Sequence, residues 1–131
     1  MFLNKLEEDE KIAFLKLAHY IARSDDDFTE NEQETISTYC MEMQVEDIVY
    51  DKDNFNLNDT LEVIKSKENQ KIVLLEIMAL IFSDGLHKEE QRILNVIIKK
   101  YNIDKILILV YAEWSKAILS IVNQGQALIQ L

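Results

Sequence analysis

Apolar residues keep helical spacing through most of the chain. Phe14, Leu17, Ala18 and Ile21 stand at i, i+3, i+4 and i+7, which is one face of an α-helix. After a polar break, Ile36, Tyr39, Cys40 and Met43 repeat the spacing. Moving the first set by 60 positions gives Leu74, Ile77, Met78 and Ile81; moving the second by 58 gives Leu94, Ile97, Ile98 and Tyr101. Every position reached is apolar. The breaks are acidic turns, SDDDFTENE at 24–32 and SDGLHKEE at 83–90. A helix–acidic turn–helix unit therefore occurs twice, as repeat one over about 11–45 and repeat two over about 71–103, with the first turn two residues longer.

The remaining segments also read as helical. NDTLEVIKS at 58–66 fits a short capped helix, and DKDNFN at 51–56 is the expected loop. IVLLEIMALIF at 72–82 is apolar nearly all round except at Glu76, the pattern of a central, buried helix. From Ile103 onward, one or two helices over 104–122 are expected to close the bundle. The predicted fold is all-α: one domain over 1–131, a single bundle of about 6–7 helices built on two pseudo-twofold-related hairpins.

Composition agrees with this and narrows the function. Of 131 residues 48% are apolar, none is proline and two are glycine (Gly85 and Gly125), too few turn formers for a sheet protein. The net charge of −10 opposes nucleic acid and anionic membrane surfaces and favours cations or a basic partner. Ten of the acids lie within 7–34, against Lys11, Lys16 and Arg23. Cys40 is the sole cysteine, which suits a reducing cytosol, and its helical apolar position marks it as a packed thiol. The first residues lack the pattern of a signal peptide. No uninterrupted apolar run reaches the roughly 20 residues of a membrane span, because Glu76, Glu113 and Lys116 break the candidates. A cytoplasmic protein without direct membrane insertion is expected.

The acidic turns carry the candidate chemistry. Thr29 and Glu32 form the Ser/Thr-x-x-Glu pattern of a capping box, so part of the first turn starts a helix. In the second turn Glu90 matches Glu32, while His87 replaces Thr29 and Gly85 offers a positive φ. An EF-hand is excluded, since counting from Asp25 puts Glu30 where glycine belongs and Ile36 where the last glutamate belongs. If the two turns meet, Asp25, Asp27 and Glu32 approach Asp84, Glu89 and Glu90. Their mutual repulsion would then be relieved by a hard divalent cation.

The paired turns, each joining two amphipathic helices, resemble the TerB-like family named after bacterial tellurite-resistance proteins, over about residues 10–110. The resemblance implies a small, non-enzymatic helical bundle linked to stress, tellurite, phage and colicin resistance, with a proposed metal-binding role. The matching positions are Asp25, Asp27 and Glu32 in the first turn and Asp84, Gly85 and Glu90 in the second. Asp26 stands where an Asp-Gly pair is typical of the family. The candidate metal ligands are thus Asp25, Asp27, Glu32, Asp84 and Glu90, for a divalent ion whose identity the residues leave open.

Enzymatic readings find little support. There is no nucleophile elbow and no glycine-rich phosphate loop. His19 lies on an amphipathic helix and reads as packed or surface, and His87 reads as a helix start. Glu76 and Lys16 occupy equivalent places in the two repeats and are candidates for an internal pair. The rival function is an acidic protein-interaction module, adaptor-like or co-chaperone-like, that binds a basic partner without metal. A homodimer is a further option. Trp114 is expected in the bundle core rather than as an exposed anchor.

Overall fold

The computed structural model describes residues 1–83 and 88–131. Among them are six α-helices and no strand: α1 (Glu8–Ala22), α2 (Glu30–Met43), α3 (Leu57–Glu62), α4 (Lys67–Ser83), α5 (Lys88–Tyr101) and α6 (Lys105–Ile129). A single 3₁₀ turn, Leu3–Lys5, precedes them. The all-α bundle expected from the periodicity is the observed architecture.

Local chemistry sets the helix boundaries. Glu10 Oε1 accepts from the Glu7 amide at 2.9 Å and so closes the start of α1. The same oxygen accepts from the Asn69 side chain at 2.7 Å, which ties that end to the first turn of α4. Asn56 and Asp104 cap α3 and α6 through the amides of Asp59 and Ile106. Gln44 and Asn102 take left-handed φ angles of 57° and 52°, where α2 and α5 end. The predicted loop at 51–56 is irregular, and the helix expected at 58–66 is confined to α3.

The predicted faces make the core. Phe14, Leu17, Ala18 and Ile21 from α1 are buried with Ile36, Tyr39, Cys40 and Met43 from α2. Leu74, Ile77, Met78 and Ile81 from α4 join them, with Leu94, Ile97 and Tyr101 from α5; Ile98 is half-buried. Each fully buried Leu, Ile or Phe contributes roughly 1.5–3 kcal/mol. Helix α4 touches α1, α5, α6 and the N-terminal turn, the central place its apolar circumference predicts. The Tyr101 hydroxyl donates to the Leu61 carbonyl at 2.8 Å, and the Lys67 ammonium donates to the Tyr101 carbonyl, joining α3, α4 and α5.

Two expectations need correction. Glu76 does not pair with Lys16. Lys16 is exposed, whereas Glu76 is buried and accepts from the Met1 ammonium at 2.8 Å and the Phe2 amide at 2.9 Å. The N-terminal segment folds across α4 and supplies donors that α1 does not. The C-terminal segment is a single helix, one of the two expected alternatives, but it runs to Ile129 rather than ending near 122. It is long and apolar enough to cross a membrane despite Glu113 and Lys116, which interrupt its apolar runs without breaking the helix. It covers the bundle with one face only: Ile108, Tyr111 and Ala112 are half-buried, and Ser115 is fully buried. Trp114 is half-buried, with its ring 6.1 Å from that of Phe2.

Candidate cation-binding cleft

The turn Arg23–Thr29 places the first set of candidate acids. Ser24 Oγ donates to the Ile21 carbonyl at 2.7 Å and ends α1. The Asp26 amide donates to the Arg23 carbonyl at 3.1 Å, and the Asp27 amide donates to Asp25 Oδ1 at 3.1 Å. Asp26 has φ 62°, the left-handed conformation in which glycine is easiest and aspartate is tolerated. The missing glycine therefore does not prevent a tight turn.

The capping box at the start of α2 is present. Thr29 Oγ1 accepts from the Glu32 amide at 3.1 Å, and Glu32 Oε1 accepts from the Thr29 amide and hydroxyl, each at 3.0 Å. One carboxylate oxygen of a candidate metal ligand is thus held in the cap.

Asp25, Asp27, Glu30, Glu32 and Glu90 line one surface cleft of about 540 Å³, with Thr29 and Asn31 between them. Four of the five predicted ligands, from both hairpins, are therefore brought to one place. The fifth, Asp84, lies outside the described residues, as do Gly85 and His87. Glu32 and Glu90 are buried, whereas Asp25, Asp27 and Glu30 are exposed. Glu89 turns elsewhere: it pairs with Arg92 at 3.1 Å and lines the neighbouring cavity. No basic side chain is among the described residues lining the acidic cleft. Among the described residues, no three His, Cys, Asp or Glu side chains converge closely enough to hold a metal ion.

A second constellation, built on His19, was not foreseen. His19 is buried, its ring stacked between Phe28 at 5.8 Å and Tyr50 at 5.9 Å. Its Nε2 lies 2.9 Å from Asp47 Oδ1, and its Nδ1 lies 3.4 Å from Arg23 Nη2. A carboxylate only accepts and a guanidinium only donates, so the tautomer with hydrogen on Nε2 satisfies both contacts. Arg23 also lies 4.1 Å over the Phe28 ring and 5.4 Å over Tyr50. Tyr20 stacks on Phe55 at 4.4 Å. Phe28, Tyr20, Tyr50 and Phe55 wall a cavity of about 690 Å³ beside the acidic turn. The geometry lacks a nucleophile relay, since the second ring nitrogen faces a guanidinium rather than a hydroxyl or thiol. The signal in the sequence is three aromatic residues in polar, non-helical segments, at 28, 50 and 55.

A further cavity of about 750 Å³ lies between α1, residues 48–56 and α3. It is walled by Ile12, Ile48 and Val63, and its acids Asp9, Asp51 and Asp59 are dispersed along exposed segments. No protein family, characterised protein or solved structure gives a significant match to this chain.

Proposed function

We propose that the chain is a non-enzymatic, cytoplasmic binding module of the TerB-like stress-resistance kind, whose acidic cleft receives a basic side chain of a protein partner. The observation that carries this reading is that five carboxylates, drawn from both hairpins, line one cleft with no basic residue among its described walls. The exposed carboxylates Asp25, Asp27 and Glu30 give the cleft a negative field that favours a cationic group over an anion.

Size favours a basic side chain over a bare ion. A dehydrated divalent cation needs about six or more oxygens at roughly 2.0–2.6 Å. The cleft is about 540 Å³, and Glu32 already spends one oxygen on its cap. A lysine or arginine head fits such a space through several separate contacts. A divalent cation held by Asp25, Asp27, Glu32, Asp84 and Glu90 is the second reading, supported by the family resemblance and by the convergence of both hairpins on the cleft.

Fluorescence anisotropy of a labelled octalysine peptide tests the first reading. Binding should weaken at least tenfold between 50 and 500 mM salt and in an Asp25→Asn/Asp27→Asn variant. Equal binding by variant and wild type would remove the cleft as the site. Calorimetry with calcium, magnesium, manganese and zinc separates the readings: saturable heat abolished by the same variant makes metal the primary ligand.

A further inference from the structure

The aromatic cavity beside the first turn is built around an arginine that no carboxylate neutralises. Arg23 is followed by Asp25, Asp26 and Asp27, yet it forms no ion pair among the described residues. It packs on rings instead, 4.1 Å over Phe28 and 5.4 Å over Tyr50, with Nη2 3.4 Å from Nδ1 of His19. A guanidinium carries about five N–H donors. One is spent on His19, and the rest have no acceptor among the described residues. The side chain is exposed but held by these contacts, so little freedom is lost when a ligand takes its donors.

A row of rings stands behind it. Phe28, His19, Tyr50, Phe55 and Tyr20 follow one another with centroid spacings of 5.8, 5.9, 5.8 and 4.4 Å. All but His19 wall the cavity of about 690 Å³, a volume within the range of small-molecule sites. The polar groups of the wall are few. Lys52 has no ion pair among the described residues. Asn56 gives its Oδ1 to the Asp59 amide, which leaves its side-chain N–H groups to donate. Glu89 is neutralised by Arg92 at 3.1 Å, so Asp26 is the one unpaired acid among the described residues of the wall. Arg23 and Lys52 against Asp26 leave one positive charge in excess, in a chain whose total is −10.

We propose that this cavity binds a small aromatic carboxylate, with the carboxylate on Arg23 and the ring among Tyr20, Tyr50 and Phe55. The planar fork of a guanidinium matches a carboxylate bidentately. One excess positive charge matches one negative charge, whereas a phosphate monoester brings nearly two into a strongly acidic protein. A cationic ligand is disfavoured by Arg23 itself, which already lies over the rings that would attract one. An aromatic body is favoured over an aliphatic one because ring–ring contacts add to the area they bury. The cavity shares no wall residue with the acidic cleft, so neither site depends on the other.

Calorimetric titration of the full chain with 2-naphthoate tests this. About thirteen non-hydrogen atoms at a typical ligand efficiency give an expected Kd of about 1 mM or tighter. 2-Naphthamide has the same shape without the charge, and acetate lacks the ring; each should bind roughly tenfold more weakly or worse. Arg23→Lys keeps the charge but loses the fork, and should weaken 2-naphthoate about tenfold. Lys52→Gln alters an exposed side chain and should weaken it about threefold at about 50 mM salt. A melting temperature within about 3 °C of wild type shows that a variant keeps the fold. If Arg23→Lys melts lower, Lys52→Gln alone decides. The absence of saturable heat at about 10 mM 2-naphthoate overturns the proposal. Equal binding of 2-naphthamide overturns it too, as does an affinity that folded variants leave unchanged. Tighter binding of adenosine monophosphate than of 2-naphthoate would also overturn it, by giving the cavity to a phosphate.

Discussion

The buried ring of His19 donates from Nε2 to Oδ1 of Asp47 across 2.9 Å, and this bond ties α1 to the irregular segment that follows α2. Burial by itself would raise the Asp47 carboxyl, but the hydrogen bond from His19, with that from the Ile48 amide, holds it below the ordinary aspartate value. A carboxyl lowered in the fold binds its proton more readily in the unfolded chain. Its stabilisation is thus present above the ordinary carboxylate range and is lost as pH falls through the folded value. Asp47→Asn should cost about 1 kcal/mol at pH 7. The gap between variant and wild type should narrow as pH falls below the ordinary carboxylate range. Urea unfolding at pH 7, 5 and 3 measures both, and a gap as large at pH 3 as at pH 7 would contradict the assignment.

Cys40 should be a slow thiol. Burial, reinforced by the Asp47 charge, pushes its pKa up to about 11. At pH 8 only about a thousandth of such a thiol is thiolate, against roughly a quarter of an unperturbed one. Reaction with a chromogenic disulfide at pH 8 should run at least a hundredfold slower in the native protein than in urea. Comparable rates would mean that the α2 face bearing Cys40 opens readily.

These relationships divide by how far they reach along the chain. The helix faces were legible because each apolar set repeats within one helix, so Phe14 to Ile21 and Leu74 to Ile81 announce burial locally. The capping box at Thr29 was legible for the same reason, since its partners are three residues apart. The convergence of Asp25, Asp27 and Glu32 with Glu90 followed from the internal repeat rather than from spacing. The Asp47 partner of His19 lies 28 positions away in a segment without periodicity, and no local rule selects it from the other acids. Glu76 was misjudged because its donors, at positions 1 and 2, lie outside both repeats. The outer face of α6 was hidden by its inner face: an apolar helix reads as buried, and sequence does not say how many of its sides a neighbour covers.

Folding and binding at the first turn can be separated. Thr29→Ala removes the acceptor for the Glu32 amide and should cost about 1 kcal/mol, while Thr29→Ser should stay near wild type. Glu32→Gln keeps an oxygen for the Thr29 amide but removes one negative charge from the cleft. It should unfold close to wild type and bind octalysine severalfold more weakly. If Glu32→Gln instead loses as much stability as Thr29→Ala without changing peptide binding, its carboxylate serves the cap alone.

Ser115 is where α6 is least well matched to the bundle. Its hydroxyl is fully buried on the face toward α4 and has no hydrogen-bond partner among the described residues. A buried hydroxyl that has given up water without replacement is a net loss of roughly 1–3 kcal/mol. Alanine deletes that group, leaves a space too small to matter, and has the higher helix propensity. Ser115→Ala should therefore raise stability by about 1 kcal/mol, or roughly 4 °C in Tm for a domain of this size. Ser115→Val offers the contrast: it also removes the hydroxyl but adds two methyl groups where α6 and α4 already touch, and it should destabilise by overpacking. Thermal melts of the three proteins at one concentration check this. A loss of stability in Ser115→Ala would mean that the hydroxyl is satisfied after all, and that this face of α6 is held by polarity as well as by packing.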